Sequence, residues 1–522
     1  MSEAPRAKPP PESHKVGLSM TSDRLRSVGL LAATILLCSF VLLVQADIAL
    51  HKGFWLDEGF EIVRTCGQSF SSLLKDGAYE CSPAPLYWLA QTAVIRSVDA
   101  VGLSLRLQYR AISLGASALT VLILMLGLGR RVGILVALVA FSSLAADPGF
   151  HHHATLNRAY MTWALATAVL VFAAAAVSVD SARRPRWGMP VLLGAGGLVS
   201  MAALPGCLQA LSAFTACVLI RRWLNVSPRM GRRALMALAL GGLALVALDV
   251  RYWAGSPCRG YTAAGDLDIA VVADRWSLVR RALTVLWPEA TSIWVVPVYA
   301  ALLAGALTPL VLGRRRSTLT ETERDAFALS LIALSQIALA IPVGLGLALG
   351  RYLFLPRMFI FVMVPRAVLI GLGFWLIAAS VRRMVAGKRE RLVGAAAVAL
   401  ALIATALSLR FTVQWARTSR FPLPPVGQIS CESLKSPELH VLERPRPRGY
   451  AFTPNFLVRL GRALEACPTS PAPPAGARYL LALDATTQAD WFRVVDAPPP
   501  GFEPMQVCQA PVILREGRRA GP

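Results

Sequence analysis

Long apolar blocks alternate with short polar connections along most of the chain, and this alternation predicts membrane-spanning helices. Each block runs for about 18–24 residues, the length that a helix needs to cross the hydrocarbon core of a bilayer. If residues 1–27 are cytoplasmic, about eleven blocks qualify. They fall near residues 28–49, 108–128, 132–149, 159–178, 189–204, 206–220, 234–249, 292–312, 326–348, 358–380 and 392–409. The pattern therefore predicts an all-α polytopic membrane protein.

Two stretches between these blocks are only partly apolar, and both predict helices that lie on the membrane surface. The first, PLYWLAQTAVI, belongs to the outer loop that follows the first block. The second lies within residues 250–290, where Trp276, Val279 and Leu283 recur at helical spacing beside several arginines. An apolar face with a basic flank is typical of an interfacial amphipathic helix.

The two ends of the chain differ from the membrane part. The first 27 residues are basic and rich in proline, which predicts disorder. The tail contains strand-like runs, RYLLALDA and QVCQAPVIL, and a helical stretch, NFLVRLGRALEAC. We therefore predict a disordered cytoplasmic N-terminus over 1–27, a transmembrane domain over 28–410 and a small extracytoplasmic α/β domain over 411–522.

Composition and charge agree with a membrane protein and argue against a nucleic-acid partner. The 522 residues are 55% hydrophobic and 16% charged, whereas soluble proteins carry about a quarter charged residues. The net charge is +23, but arginines cluster in short connections such as 314–316 and 382–391. Such clusters mark cytoplasmic loops. The distribution predicts a plasma (inner) membrane protein with a cytoplasmic N-terminus and an outer tail.

Cysteine placement fits this topology. Cys38, Cys207 and Cys217 fall inside apolar blocks, where small apolar side chains suffice. The other cysteines fall in the predicted outer regions, which are oxidising. A bridge between Cys66 and Cys81 would close part of the first outer loop. The remaining pairings stay open, and free thiols are the alternative.

Candidate chemistry collects on the predicted outer face, in segments far apart in sequence. The first outer loop carries Asp57, Glu58 and Glu80, the connection after the third block reads HHHATLNRAY, and the approach to the tenth block reads RYLFLPRMF. A carboxylate can accept the proton of an attacking hydroxyl. Arginine binds phosphate through bidentate hydrogen bonds. The combination suits a general base that faces an anionic substrate, although solvated helix ends are the alternative.

Two features in this region leave alternatives open. Three adjacent histidines, His151, His152 and His153, point in different directions, so we expect a solvated or headgroup-facing turn rather than a metal site. Arg366 falls inside the tenth block, where an unpaired charge is costly. It either pairs internally or snorkels, or it contacts the phosphate of a bound lipid.

Several of these motifs resemble a known family. FWLDEGF and SPAPLYWLAQTAVIRSV in the first outer loop, followed by Arg110, resemble the C-type membrane glycosyltransferases that use polyprenyl-phosphate-linked sugars. The resemblance is to the protein O-mannosyltransferases, the aminoarabinose-lipid A transferases and the rhizobial Rgt-like lipopolysaccharide transferases. PRMFIFVMVP resembles the arginine-led penultimate segment of that family. The resemblance covers about residues 28–380.

This resemblance implies an inverting transfer of a sugar from a polyprenyl-phosphate donor to a glycolipid, polysaccharide or protein acceptor. It implies that Asp57 is the base or orients the acceptor, that Glu58 supports it, and that Arg158 and Arg357 meet the donor phosphate. Other candidates are expected around them. Arg351 and Arg366 are further candidates for phosphate binding, and Trp55, Glu80, Tyr87, Tyr160 and His153 for substrate binding.

Departures from the family pattern bear on the metal requirement. Asn157 stands before Arg158 where an acid is common in relatives, which removes one partner for a divalent ion. No metal ligand is therefore predicted, and a divalent cofactor stays an open alternative. Ala84 and Met358 replace a proline and an aromatic residue without affecting the proposed base.

Three functions are compatible with these features. The leading hypothesis is a membrane glycosyltransferase that acts on the non-cytoplasmic face. A lipid or solute transporter would also suit many spans with an intramembrane arginine, but it would more typically show two similar halves. A non-catalytic protein that binds the lipid carrier is the third hypothesis.

Overall fold

The structure is a computed structural model. It describes residues 16–51, 85–99, 105–179, 188–202, 205–226, 240, 295–315, 318–341, 356–385, 388–419, 439–443, 478–483, 502–509 and 513–519. Over these residues the fold is a helical bundle that carries a short sheet near the end of the chain.

The described helices are labelled in chain order. They are α1 (Val16–His51), α2 (Pro85–Asp99), α3 (Leu105–Arg131), α4 (Ile134–Ala145), α5 (Pro148–Ala154), α6 (Tyr160–Val179), α7 (Gly188–Ala202), α8 (Pro205–Trp223), α9 (Val295–Gly313), α10 (Glu321–Ala338), α11 (Met363–Met384) and α12 (Lys388–Ser419). A 3-10 helix, Pro356–Val362, leads directly into α11.

The predicted multi-pass membrane architecture is confirmed. Among the described residues, six helices are long and apolar enough to cross a bilayer, and α4 with α5 forms a seventh candidate that is bent by 72°. Helices α7, α8 and α10 also coincide with predicted spans. The predicted span at 234–249 and the surface helix within 250–290 lie outside the described residues, so the count of eleven stays a prediction.

Helix boundaries differ from the predicted ones at both ends of the membrane part. Helix α1 begins at Val16, within the segment predicted to be disordered, and no proline occurs between Pro11 and the end of this helix at His51 to interrupt it. Helix α12 continues to Ser419, past the predicted domain boundary at 410. Helix α2 has 15 residues, too few to span a bilayer, as expected of an interfacial helix.

Helix α11 is the most buried of the apolar spans in the described part of the chain. It packs against α4, α9 and α10, and glycines allow two of these contacts to be close. A Cβ on Gly371 would lie 2.8 Å from the carbonyl oxygen of Val136 in α4, and one on Gly373 would overlap the carbonyl oxygen of Ala301 in α9. Small residues at such positions let helix backbones approach in a membrane, where van der Waals packing drives association.

One end of the bundle gathers basic residues and is called the basic face below. Arg131 at the end of α3 pairs with Asp325 of α10 at 3.0 Å, and Arg383 at the end of α11 pairs with Glu323 at 3.0 Å. Arg221 of α8 donates to the carbonyl oxygen of Val177 in α6. These contacts bring together helix ends that lead into the arginine-rich connections of the chain, as the hydropathy pattern predicts.

The described part of the tail forms one sheet. Its strands are β1 (Leu439–Glu443), β2 (Arg478–Leu483), β3 (Phe502–Gln509) and β4 (Ile513–Arg519) in the order β1-β2-β4-β3. The β1–β2 pair is parallel and the other two pairs are antiparallel. Strand β2 lies within the predicted run RYLLALDA, whereas the predicted run QVCQAPVIL overlaps the end of β3 and the start of β4. The predicted helical stretch lies outside the described residues.

Candidate functional site

The face opposite the basic face is built around the short helix α5. Asp147 caps this helix, because its side chain accepts a hydrogen bond of 2.8 Å from the backbone N–H of Gly149. Pro148 occupies the first helical position, where its missing N–H costs nothing. The Asp-Pro pair therefore ends the run of α4 and starts a new helix in a different direction, which accounts for the bend between them.

The second carboxylate oxygen of Asp147 accepts a hydrogen bond from Arg366 near the start of α11. Both side chains are largely buried, with 13% of Asp147 and 6% of Arg366 exposed. The intramembrane arginine is thus internally paired, one of the two alternatives that the sequence leaves open. Asp147 was not among the residues predicted from the sequence, although an acid followed by proline at the end of an apolar block is a recognisable cap signal.

The expected solvated histidine turn is wrong for two of the three residues, because they lie within α5 and face inward. His151 is fully buried, and its ring contacts the side chain of Gln45 at 3.2 Å and the carbonyl oxygen of Ala145 at 2.7 Å. His153 is also buried, and His152 is exposed. Helical geometry spreads three consecutive side chains around the axis, so one ion cannot bind all three.

The segment between α5 and α6 is held in place by hydrogen bonds. The hydroxyl of Thr155 donates to the carbonyl oxygen of His151 at 3.0 Å, which closes the last turn of α5. The hydroxyl of Tyr87 in α2 donates to Asn157 Oδ1 at 2.7 Å. The hydroxyl of Ser113 in α3 donates to the carbonyl oxygen of Arg158 at 3.2 Å. The backbone that carries Arg158 is therefore fixed by α2, α3 and α5.

Four predicted site residues meet in this segment. The guanidinium carbon of Arg158 lies 5.8 Å from the ring centroid of Tyr160, within the range of a cation–π interaction. The rings of His153 and Tyr160 are 5.0 Å apart. Tyr87 reaches the same segment through its bond to Asn157. We call Tyr87, His153, Arg158 and Tyr160 the arginine cluster.

Arg110, the arginine that opens the next span in the resemblance, lies in α3. It is fully buried, and its guanidinium donates to the carbonyl oxygen of Ala49 in α1 at 2.7 Å. This bond joins the end of α1 to the start of α3. The two helix ends that flank the first outer loop are therefore held together.

The 3-10 helix that contains Arg357 packs against α6 and α11. The ring of Phe361 lies 5.4 Å from that of Trp163 in α6. This contact is three residues from Tyr160, so the helix of Arg357 and the arginine cluster are neighbours along α6.

The other predicted site residues lie outside the described residues. These are Trp55, Asp57, Glu58, Glu80, Arg351 and the disulfide candidates Cys66 and Cys81. Their assigned roles stay predictions. In the part of the chain that the structure describes, no group of three or more His, Cys, Asp or Glu side chains is arranged to hold a metal ion.

Two solved structures resemble the chain over nearly its full length. The crystal structure of ArnT from Cupriavidus metallidurans bound to undecaprenyl phosphate aligns with a TM-score of 0.50 and 14% identity, covering 94% of this chain and 99% of ArnT. The apo structure of the same protein aligns with a TM-score of 0.51 and 14% identity, covering 95% and 99%. The chain has the fold of ArnT, which is a C-type membrane glycosyltransferase.

The C-type fold is the one that the sequence resemblance implies, so that prediction is confirmed at the level of fold. No protein-family model matches the chain, and no curated protein matches it significantly. The likeness therefore lies in the three-dimensional arrangement of the helices. It is consistent with the low identity to ArnT, because helix packing depends on pattern and volume more than on individual residues.

Proposed function

We propose that the protein is a membrane glycosyltransferase, which moves a sugar from a polyprenyl-phosphate-linked donor to an acceptor hydroxyl. The observation that carries the proposal is the full-length likeness to ArnT, one structure of which is bound to undecaprenyl phosphate. The arginine cluster supports it, because a guanidinium next to a surface of the bundle suits a lipid phosphate. The acceptor is a glycolipid, a polysaccharide or a protein.

The proposed reaction takes place on the face opposite the basic face, which is the non-cytoplasmic side if the arginine-rich connections are cytoplasmic. We propose that the protein lies in the plasma (inner) membrane, with its N-terminus inside and its C-terminal domain outside. A lipid-linked donor suits this side, because the polyprenyl carrier is anchored in the membrane and can present the sugar at the non-cytoplasmic face.

The proposed mechanism is an inverting displacement. The acceptor hydroxyl oxygen attacks the anomeric carbon of the sugar, and Asp57 takes the proton of that hydroxyl. The bond between the anomeric carbon and the phosphate oxygen breaks, and polyprenyl phosphate leaves with the bonding electron pair. Arg158 and Arg357 stabilise the charge that develops on the phosphate, with Arg351 as a further candidate, whereas Arg366 is held by its pairing with Asp147. Glu58 supports the base.

The test is the release of free polyprenyl phosphate by the full chain in proteoliposomes. A membrane extract from cells that lack the protein, with its lipids, glycans and proteins, supplies both donor and acceptor, so neither the sugar nor the acceptor need be known beforehand. We expect Asp57→Asn to lower the release at least about a hundredfold, a typical contribution of a general base. Asp325→Asn, on the basic face, serves as the control and should retain release. Unchanged release by Asp57→Asn would contradict the assigned base, and solute uptake without release would favour a transporter.

A further inference from the structure

We propose that Asp147 is a positioning residue for the transfer reaction, which acts through Arg366 to hold the arginine cluster and the 3-10 helix of Arg357 in a single arrangement. This inference rests on the proposed function. Asp147 is not expected to touch the substrate.

The two oxygens of the Asp147 carboxylate bind two different elements. One accepts from the Gly149 amide at the start of α5, and the other accepts from Arg366 near the start of α11. A carboxylate can accept several hydrogen bonds with directional geometry. Asp147 therefore fixes the position of α5 relative to α11.

Each of these elements leads directly to a residue proposed to bind phosphate. Helix α5 has seven residues, and Thr155 links its last turn to the segment of Arg158. In the other direction, α11 begins at Met363, directly after the 3-10 helix Pro356–Val362 that contains Arg357. A shift between α5 and α11 would thus change the spacing of the two arginine-bearing segments.

Helix α5 and the start of α11 are in direct contact around Asp147. A Cβ on Gly149 would lie 2.9 Å from the end of the Met363 side chain and 3.1 Å from the Asp147 carboxylate. The Asp147–Arg366 pair is itself largely buried, with 13% of Asp147 and 6% of Arg366 exposed. A shift of either helix would therefore move groups that the other helix contacts.

An ion pair in this place is better suited to orientation than to stability. Desolvation of two buried charges cancels much of their attraction, so a buried pair adds little net stability compared with apolar side chains. What the pair supplies is a defined geometry. Small displacements of groups that bind a reacting phosphate have large effects on binding and rate.

The basic face supplies a matched control. Asp325 of α10 is 2% exposed and pairs with Arg131 of α3 at 3.0 Å. Like Asp147, it is a buried acid that links two helices by pairing with an arginine. It lies at the other end of the bundle. Asp325→Asn and Asp147→Asn should both lower the thermal unfolding midpoint, but only the second should alter the site.

The experiment measures the affinity of the purified full chain for undecaprenyl phosphate in detergent or nanodiscs. We expect Asp147→Asn to weaken the affinity about tenfold or more, and Asp325→Asn to stay within about twofold of the native chain. The sign of the first effect is decisive. If Arg366 itself bound the phosphate, its release from Asp147 would leave the affinity unchanged or increase it, and this result would overturn the proposal.

A second variant covers the case in which Asp147→Asn does not yield a folded protein. The double variant Asp147→Asn/Arg366→Gln removes both charges of the pair, so neither is left without its partner, and it should fold with affinity also lowered about tenfold. Native affinity in this variant would contradict a positioning role. If the native chain does not bind undecaprenyl phosphate at all, the proposed function fails and the inference fails with it. If the native chain binds undecaprenyl phosphate, and Asp147→Asn and Asp325→Asn weaken this binding equally, the positioning role of Asp147 is overturned while the proposed function stands.

Discussion

Buried polar side chains in the described part of the bundle bind one another across helices. Trp163 of α6 donates to Gln209 Oε1 of α8, and the amide of Gln209 donates to Gln336 Oε1 of α10 at 3.1 Å. The Tyr87–Asn157 and Asp147–Arg366 pairs follow the same rule. Because hydrocarbon offers no water to a polar group, each such contact specifies which helices are neighbours.

Removal of the Tyr87 hydroxyl tests one of these contacts. Tyr87→Phe should destabilise the chain by about 1 kcal/mol, because buried Asn157 loses a hydrogen-bond donor while the ring volume is kept. The thermal unfolding midpoint of the purified full chain measures the effect. In an Asn157→Ala background the same change should have little further effect. Additive effects of the two changes would show that the hydroxyl acts elsewhere.

Glu323 at the start of α10 gives a prediction about pH. A hydrogen bond from the backbone N–H of Thr320, followed by contacts with its hydroxyl and with Arg383, holds the pKa of the Glu323 carboxyl below its ordinary value. A lowered folded-state pKa adds stability above the unfolded-state pKa, about 4.3, and this contribution is lost as the pH falls through the folded-state pKa. Glu323→Gln should therefore unfold at a lower temperature than the native chain at pH 7.

The gap between the two midpoints should shrink in acid, because the native carboxyl becomes protonated there. Melting curves of both chains at about pH 7 and about pH 3 measure it. Glu321→Gln is a suitable control, since Glu321 is exposed in the same helical turn. A gap of equal size at both pH values would show that the charge of Glu323 contributes nothing.

Residue types were predictable from sequence, but their partners were not. Arg366 stands out as a charge inside an apolar block, yet its partner Asp147 is 219 residues away. Only helix packing brings them together, and hydropathy carries no information about which faces meet. The same holds for Asn157, whose partner Tyr87 is 70 residues away.

At the level of elements, hydropathy predicted the spans because each must bury about 20 apolar residues in the bilayer. It predicted the break between α4 and α5 less well. Residues 132–149 read as one apolar block, whereas α4 ends at Ala145 and α5 begins at Pro148. A local signal, Asp147 followed by proline, interrupts the helix while the hydropathy stays high.

The close crossing of α9 and α11 is the element contact most sensitive to size. Gly373→Ala should destabilise the chain by at least about 1–3 kcal/mol, because the new methyl group would overlap the Ala301 backbone and force the helices apart. Melting of the purified chain measures the loss. The control is Gly115→Ala in α3, where a Cβ meets nothing within 4 Å. This change should be neutral or slightly stabilising; equal losses would contradict the close crossing.

At the level of the whole molecule, a fold can be the same where individual residues differ. The identity to ArnT is 14% over nearly the full chain, and the shared features are the order of the spans and their arrangement. The sequence motifs that suggested this fold, FWLDEGF and PLYW, occupy a small part of the chain. Sugar and acceptor depend on side chains at the site, which neither hydropathy nor overall fold specifies.

The envelope glycolipids and glycans of cells test the proposed function most directly. Mass profiles would be compared between cells that lack the protein and cells that express the native chain, Asp57→Asn or Asp325→Asn. We expect one glycan that is larger by a single sugar, present with the native chain and Asp325→Asn and absent with Asp57→Asn. Profiles that are the same with and without the protein, or a sugar that persists with Asp57→Asn, would contradict it.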